Sequence, residues 1–291
     1  MKLQCTDLVK TYGYLNAVDH VDLTLEQGKI YGLIGRNGAG KTTLLSLLTA
    51  QNPATSGEVE LDGQRVWENR SALDHLCFSR ELNISPETGL GNIKVKEYLR
   101  IASVYYPHWD AGMAQRLVAL FRLPVKKKLQ KLSKGMLSMV TIVVALASKA
   151  EFTFLDEPVA GLDVVARDQF YKLLLEEYSA TGRTFVISTH IIEEAADVLE
   201  EVIILREGKL LMVENVQDLL DSARYVSGRA EEVDAAITGL EIHHAESMGR
   251  SKGVTVLLRQ GQAIDESRDV TVQPMSLQKV FVALCGEEEK A

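Results

Sequence analysis

Hydrophobic and polar positions first alternate at Val21, Leu23 and Leu25, interleaved with Asp22, Thr24 and Glu26. That period of two predicts a half-buried strand, closed by the Gln27-Gly28 turn. Ile30-Tyr31-Gly32-Leu33-Ile34 is a short apolar run that predicts a buried strand, and it leads into a glycine-rich loop. Residues 42–50 have helix composition and stop near Pro53, and 58–66 predict a hairpin turning at Asp62-Gly63. Between 94 and 149 the pattern changes to three helical segments, broken at Pro107 and Pro124. Strands return at 152–155 and 184–188 with a helix, 164–179, between them. This β-α-β order implies a parallel sheet covered by helices. Residues 202–205 and 209–213, around Glu207-Gly208, predict a closing hairpin.

After about Leu220 the composition shifts, yet apolar residues continue at regular spacing. Strands at 253–258 and 270–272 and helices at 231–237 and 277–284 predict a small α+β appendage, while Glu287-Glu288-Glu289 reads as a solvated terminus. The chain has 291 residues, 46% hydrophobic and 25% charged, the balance of an ordinary globular protein. A net charge of −8 weighs against a broad basic face for nucleic acid. Cys5, Cys77 and Cys285 are far apart with no CxxC pair, which weighs against a disulfide framework or zinc cluster. The N-terminus MKLQCTDLVK has no apolar h-region, so no secretory signal is expected. The uncharged apolar stretch 135–148 is too short to cross a bilayer as a helix.

Gly35-Arg36-Asn37-Gly38-Ala39-Gly40-Lys41-Thr42 fits GxxxxGK[ST], after an apolar strand and opening a helix. Backbone N–H groups of such a loop close around phosphates, and the helix N-terminus adds a favourable dipole. Lys41 is the expected contact to the β- and γ-phosphates and the Thr42 hydroxyl an expected Mg²⁺ ligand, with Thr43 beside it. Phe152-Thr153-Phe154-Leu155-Asp156-Glu157-Pro158 is a strand ending in two acids, where parallel sheets place their ligands. Asp156 is expected to hold Mg²⁺, directly or through water, and Glu157 to orient or deprotonate the attacking water.

With these motifs the sequence resembles the ATP-binding subunit of an ABC transporter, over about residues 1–220. Tyr12 stands where that family stacks an aromatic on adenine. Leu132-Ser133-Lys134-Gly135-Met136 resembles the LSGGQ signature, Ala160-Gly161-Leu162-Asp163 the loop that contacts the opposite subunit, and Ser188-Thr189-His190 the strand end carrying the switch histidine. Each has a plainer reading alone: Tyr12 a surface aromatic, LSKGM a helix cap, His190 a structural histidine. Their common order carries the resemblance. It implies an α/β P-loop NTPase with a RecA-like parallel sheet core, an antiparallel β subdomain and a helical subdomain near 84–150. The ATP-binding domain spans 1–220 and the appendage 221–291. Catalytic roles fall to Glu157 and His190. Nucleotide contacts fall to Tyr12, Gly35, Asn37, Gly38, Ala39, Gly40, Lys41, Thr42 and Thr43, with Ser133, Gly135 and Asp163 acting across a dimer, and Mg²⁺ to Thr42 and Asp156.

The implied protein is an ATPase using ATP and Mg²⁺, a head-to-tail homodimer on the cytoplasmic face of a separate membrane permease, gripping it near 89–106. It handles no nucleic acid. Its style resembles bacterial exporters of antimicrobial and toxin peptides, including phenol-soluble modulins. Two rivals stay open: a soluble ABC ATPase acting on ribosomes or DNA, and a degenerate regulatory subunit. A single phosphate loop and no sustained heptads weigh against the first; Lys41, Asp156, Glu157 and His190 weigh against the second. Lys134 and Met136 depart from the signature. Arg80 stands near the place of the family's loop glutamine, with Glu81 next. Arginine has no acceptor to offer Mg²⁺, so Glu81 or water takes that role, or coupling to the permease differs.

Overall fold

The structure, a computed structural model, describes residues 1–286; the predicted acidic terminus at 287–289 lies outside them. The chain opens with the long strands β1 (Lys2–Tyr12) and β2 (Leu15–Glu26), followed by β3 (Ile30–Ile34) and helix α1 (Lys41–Leu48). Next come β4 (Ser56–Leu61), β5 (Gln64–Arg65), the single turn α2 (Arg70–Leu73) and β6 (Leu76–Ser79). Helices α3 (Val95–Tyr105), α4 (Ala111–Leu120) and α5 (Lys134–Ala147) lead to β7 (Phe152–Asp156), α6 (Val164–Thr181) and β8 (Thr184–Ser188). The short α7 (Ile192–Ala195), the hairpin β9 (Glu201–Arg206) and β10 (Lys209–Asn215), and α8 (Val216–Ser222) follow. The last stretch holds β11 (Ala223–Arg229), α9 (Ala230–Ala236), β12 (Ile242–Met248), β13 (Ser251–Leu257), β14 (Val270–Pro274) and α10 (Leu277–Cys285).

Strands are arranged β10-β9-β3-β8-β7-β6 in one sheet, parallel except for the β9–β10 hairpin. A second, antiparallel sheet runs β2-β1-β4-β5 and a third β12-β13-β11-β14. Both faces of the central sheet are covered, which is why its strands are apolar without alternation. Tyr31 and Leu33, with Phe152 and Phe154, pack into a core shared with β1, β2 and α1. Ile30 and Ile34, with Leu155 and Ile187, face the other core, built with α4, α5 and α6. A third, smaller core joins Val226, Val254 and Val256 to Val233 and Ile237.

The predicted elements are present within a few residues of their expected ends. Strands β11 and β12 and helix α8 were not anticipated. Strand β1 was hidden because its pairing register shifts between Cys5 and Leu8, where Asp7 has φ +49°. A bulge there breaks the alternation by which a strand is read. Helix α10 touches β12 of the third sheet but turns its apolar face elsewhere. Its Leu277, Val280, Ala283 and Cys285 are buried in the α4–α6 core.

Candidate functional site

Strands β3, β8 and β7 are neighbours, so their C-terminal ends bring the glycine loop, Ser188-Thr189-His190 and Asp156-Glu157 to one edge. The loop needs its glycines for space. A Cβ on Gly35 would stand 2.6 Å from Leu205 O, and one on Gly40, at φ +100°, 2.1 Å from Ala17 O. Lys41 is 8% exposed, and its Nζ donates to Gly35 O at 2.7 Å and to Arg36 O at 3.3 Å. Burial lowers its pKa, against the opposing pull of Glu157 and Asp156. The loop thus holds a desolvated cation near the two acids.

Thr42 Oγ1 donates to Asp156 Oδ2 at 2.7 Å, and Ser188 Oγ donates to Asp156 Oδ1. These are hard oxygen donors of the type Mg²⁺ takes, and Mg²⁺ needs only one or two carboxylates besides phosphate and water. The donor set therefore fits the ion. Glu157 sits in a left-handed conformation, φ +49°, with its N–H donating to Ser188 O at 3.1 Å. A non-glycine residue held there stores local strain, a feature that clusters at functional sites. Glu157 Oε2 lies 2.7 Å from Nδ1 of His190. Ser188, given no role from sequence, ties the two acids together. Its signal was only a hydroxyl at the end of a buried strand.

Tyr12 is half exposed at the end of β1, its hydroxyl accepting from Asn52 Nδ2 and its ring beneath Lys10 Nζ, 5.2 Å from the centroid. Ser133, Gly135 and Asp163 form a separate cluster. Ser133 caps α5 by accepting from Met136 N, and Asp163 caps α6 by accepting from Ala166 N at 2.9 Å. Ser138 Oγ donates to Ala160 O at 2.7 Å, fastening α5 to the loop before α6. The two departures meet there as well. Lys134 Nζ lies 3.2 Å from Glu81 Oε1, while the Arg80 guanidinium lies 5.8 Å from the Phe78 ring centroid.

Gly135 is closely packed, since a Cβ on it would lie 2.5 Å from Gly161 O. In an unhindered helix Gly→Ala gains about 1 kcal/mol. Gly135→Ala is expected to show the opposite sign, a lower melting temperature together with at least ten-fold slower ATP turnover. Thermal unfolding beside a turnover assay checks it, and a stabilised, fully active variant would contradict the packing.

The sequence matches the ABC transporter family over residues 18–160. It is 30% identical to the bacitracin transport ATP-binding protein BcrA of Bacillus licheniformis, over 98% of this chain and 97% of that one. It is 31% identical to the taurine import ATP-binding protein TauB of Escherichia coli, over 78% of this chain and 88% of that one. A solved structure of the ATP-binding subunit of an ABC transporter superposes with TM-score 0.66 at 24% identity, covering 76% of this chain and 92% of that one. A dimeric ATP-binding cassette, MJ0796, bound to ADP and Pi, superposes with TM-score 0.63 at 23% identity, covering 74% and 98%.

Proposed function

The chain belongs to the ABC transporter ATP-binding family, and from that premise we propose that it drives the export of peptides or other amphipathic compounds through a separate membrane permease. It is the ATP-hydrolysing motor subunit. The observation that supports this reading over a taurine-type importer is the extent of its likeness. The match to a bacitracin transport protein spans 98% of the chain, appendage included, whereas that to a taurine import protein spans 78%.

In this reading Lys41 and the loop amides of 35–42 hold the β- and γ-phosphates, and Tyr12 stacks on adenine. Glu157 takes the proton of the attacking water while His190 fixes its other carboxylate oxygen. Thr42 and Asp156 hold Mg²⁺, which when bound neutralises charge developing on the phosphate oxygens. Ser133, Gly135 and Asp163 serve the nucleotide of a second copy, because they form their own cluster rather than bonding to Thr42, Asp156 or Glu157. The unit is then a head-to-tail homodimer. No described helix is long and apolar enough to cross a membrane. The exposed Ile101, Val104 and Tyr105 of α3 supply the apolar surface for gripping the permease from its cytoplasmic face.

The test is ATPase activity of the chain assembled with its permease in lipid vesicles. Amphipathic peptide is expected to stimulate turnover several-fold and to be moved away from the ATP-containing side, while taurine has no effect. Stimulation by a small import substrate, with movement toward ATP, would overturn the direction. Arg80→Gln tests the degenerate alternative in the same vesicles. A modest change supports the motor reading, whereas an inert wild type switched on by this substitution overturns it.

A further inference from the structure

Helix α10 reaches the site from the far end of the chain. Its buried face shares a core with Ile192 and Ala195 of α7, the helix that begins two residues after His190. Phe281, half-buried on α10, faces one cavity with Gly35, Arg36, Asn37, His190 and Ile192. Cys285 and Gly286, at the helix end, face a second cavity with Arg36, Asn37 and Gly38. Arg206 Nη1, at the end of β9, donates to Leu284 O at 3.3 Å and fastens the helix end to the strand beside β3. Besides its contact with β12, the helix thus shares two cavities with the phosphate loop, which capping its own sheet does not require.

We propose that α10 is a positioning element for the hydrolytic site, and that Phe281 acts as a positioning residue by restricting the imidazole of His190. The His190 side chain is 57% exposed, and its Nδ1 is bonded to Glu157. A solvent-exposed ring samples several rotamers, and turnover falls with the fraction of time it spends away from Glu157. A rigid aromatic wall on the shared cavity narrows that choice. The stretch after residue 220 is in this way coupled to ATP hydrolysis. This inference rests on the ATPase reading above, and it concerns the turnover step rather than ATP binding.

The test measures steady-state ATPase kinetics of the full chain with its permease. Phe281→Ala is expected to lower kcat about five- to ten-fold with KM for ATP within two-fold of wild type, and Phe281→Leu to recover most of the loss. In a His190→Ala background, Phe281→Ala is expected to change nothing further. A second readout is independent of turnover and of the harsher variant. Ring-labelled histidine NMR of Phe281→Leu is expected to shift the His190 resonances through loss of the aromatic ring current, and to leave the other five of the six histidines in place. Unchanged kcat, an equal loss in both backgrounds, or unmoved His190 resonances would overturn the proposal. A wild type that binds but never hydrolyses ATP overturns the ATPase reading as well, whereas an active wild type with an indifferent Phe281 overturns this inference alone.

Discussion

Replacing Glu157 with glutamine is expected to leave ATP affinity nearly unchanged and to lower turnover by about 10²–10⁴-fold, the range a well-placed general base supplies. Glutamine keeps the size and a hydrogen-bonding oxygen but cannot accept the proton of the attacking water. The backbone that presents this side chain is set by Ser188, through the Glu157 N–H, and not by the carboxylate. Folding and the φ of +49° should therefore survive the change. With hydrolysis stopped and both nucleotide sites filled, two copies are expected to stay closed on ATP. Size-exclusion chromatography with ATP should show a dimer for Glu157→Gln and a shorter-lived one for wild type. Single-turnover kinetics within ten-fold of wild type would remove Glu157 from the role of base. His190→Ala, which removes the 2.7 Å partner of Glu157 and leaves the acid, should cost less.

The central sheet was legible because burial on both faces leaves unbroken apolar runs, as at 30–34 and 152–155, and because glycine and acidic residues mark the strand ends. The phosphate loop was legible for a steric reason: Gly35 and Gly40 stand where a side chain would collide with Leu205 O and Ala17 O. What sequence could not show was distance along the chain turned into contact. Ser188 reads as one more hydroxyl until β8 lies beside β7 and its Oγ reaches Asp156. Lys134 in the signature and Glu81 beside Arg80 read as unrelated until α5 and the loop after β6 place them 3.2 Å apart. An exposed pair of this kind contributes about 0–1 kcal/mol, so it reports the meeting of two segments more than it holds them. Strand β12 was missed for another reason. It is a sheet edge with His243, His244, Glu246 and the exposed Met248, so its burial pattern has no clean period. Helix α10 was foreseen as a helix, but periodicity says which face is buried and not against what.

Lys41→Met should separate the two things this lysine does, and its effect on binding should be the largest of any single change in the loop. The substitution keeps the unbranched stem and removes the ammonium. In the structure that ammonium is nearly buried and bonded to Gly35 O and Arg36 O. Burial lowers its pKa, which means the folded chain carries the charge at a cost. That cost is fully present below the lowered folded value and disappears as pH rises from it to the ordinary lysine value, because over that window the unfolded chain binds more protons. Lys41→Met is therefore expected to be as stable as wild type, or more so, without nucleotide, with the gap closing as pH rises. With ATP the order reverses. Loss of a charge-assisted contact to the β- and γ-phosphates is expected to weaken ATP binding by about 100-fold, or about 2.7 kcal/mol. Because phosphate favours the protonated lysine, wild-type affinity should also fall as pH rises through the same window, with proton uptake on binding. Titration calorimetry in two buffers of different ionisation enthalpy measures the uptake, and melting curves with and without ATP measure the reversal. A Lys41→Met chain that binds ATP as wild type does at a pH below that window, where the wild-type lysine is fully charged, would mean that the ammonium does not reach the phosphates, and would remove Lys41 from the site.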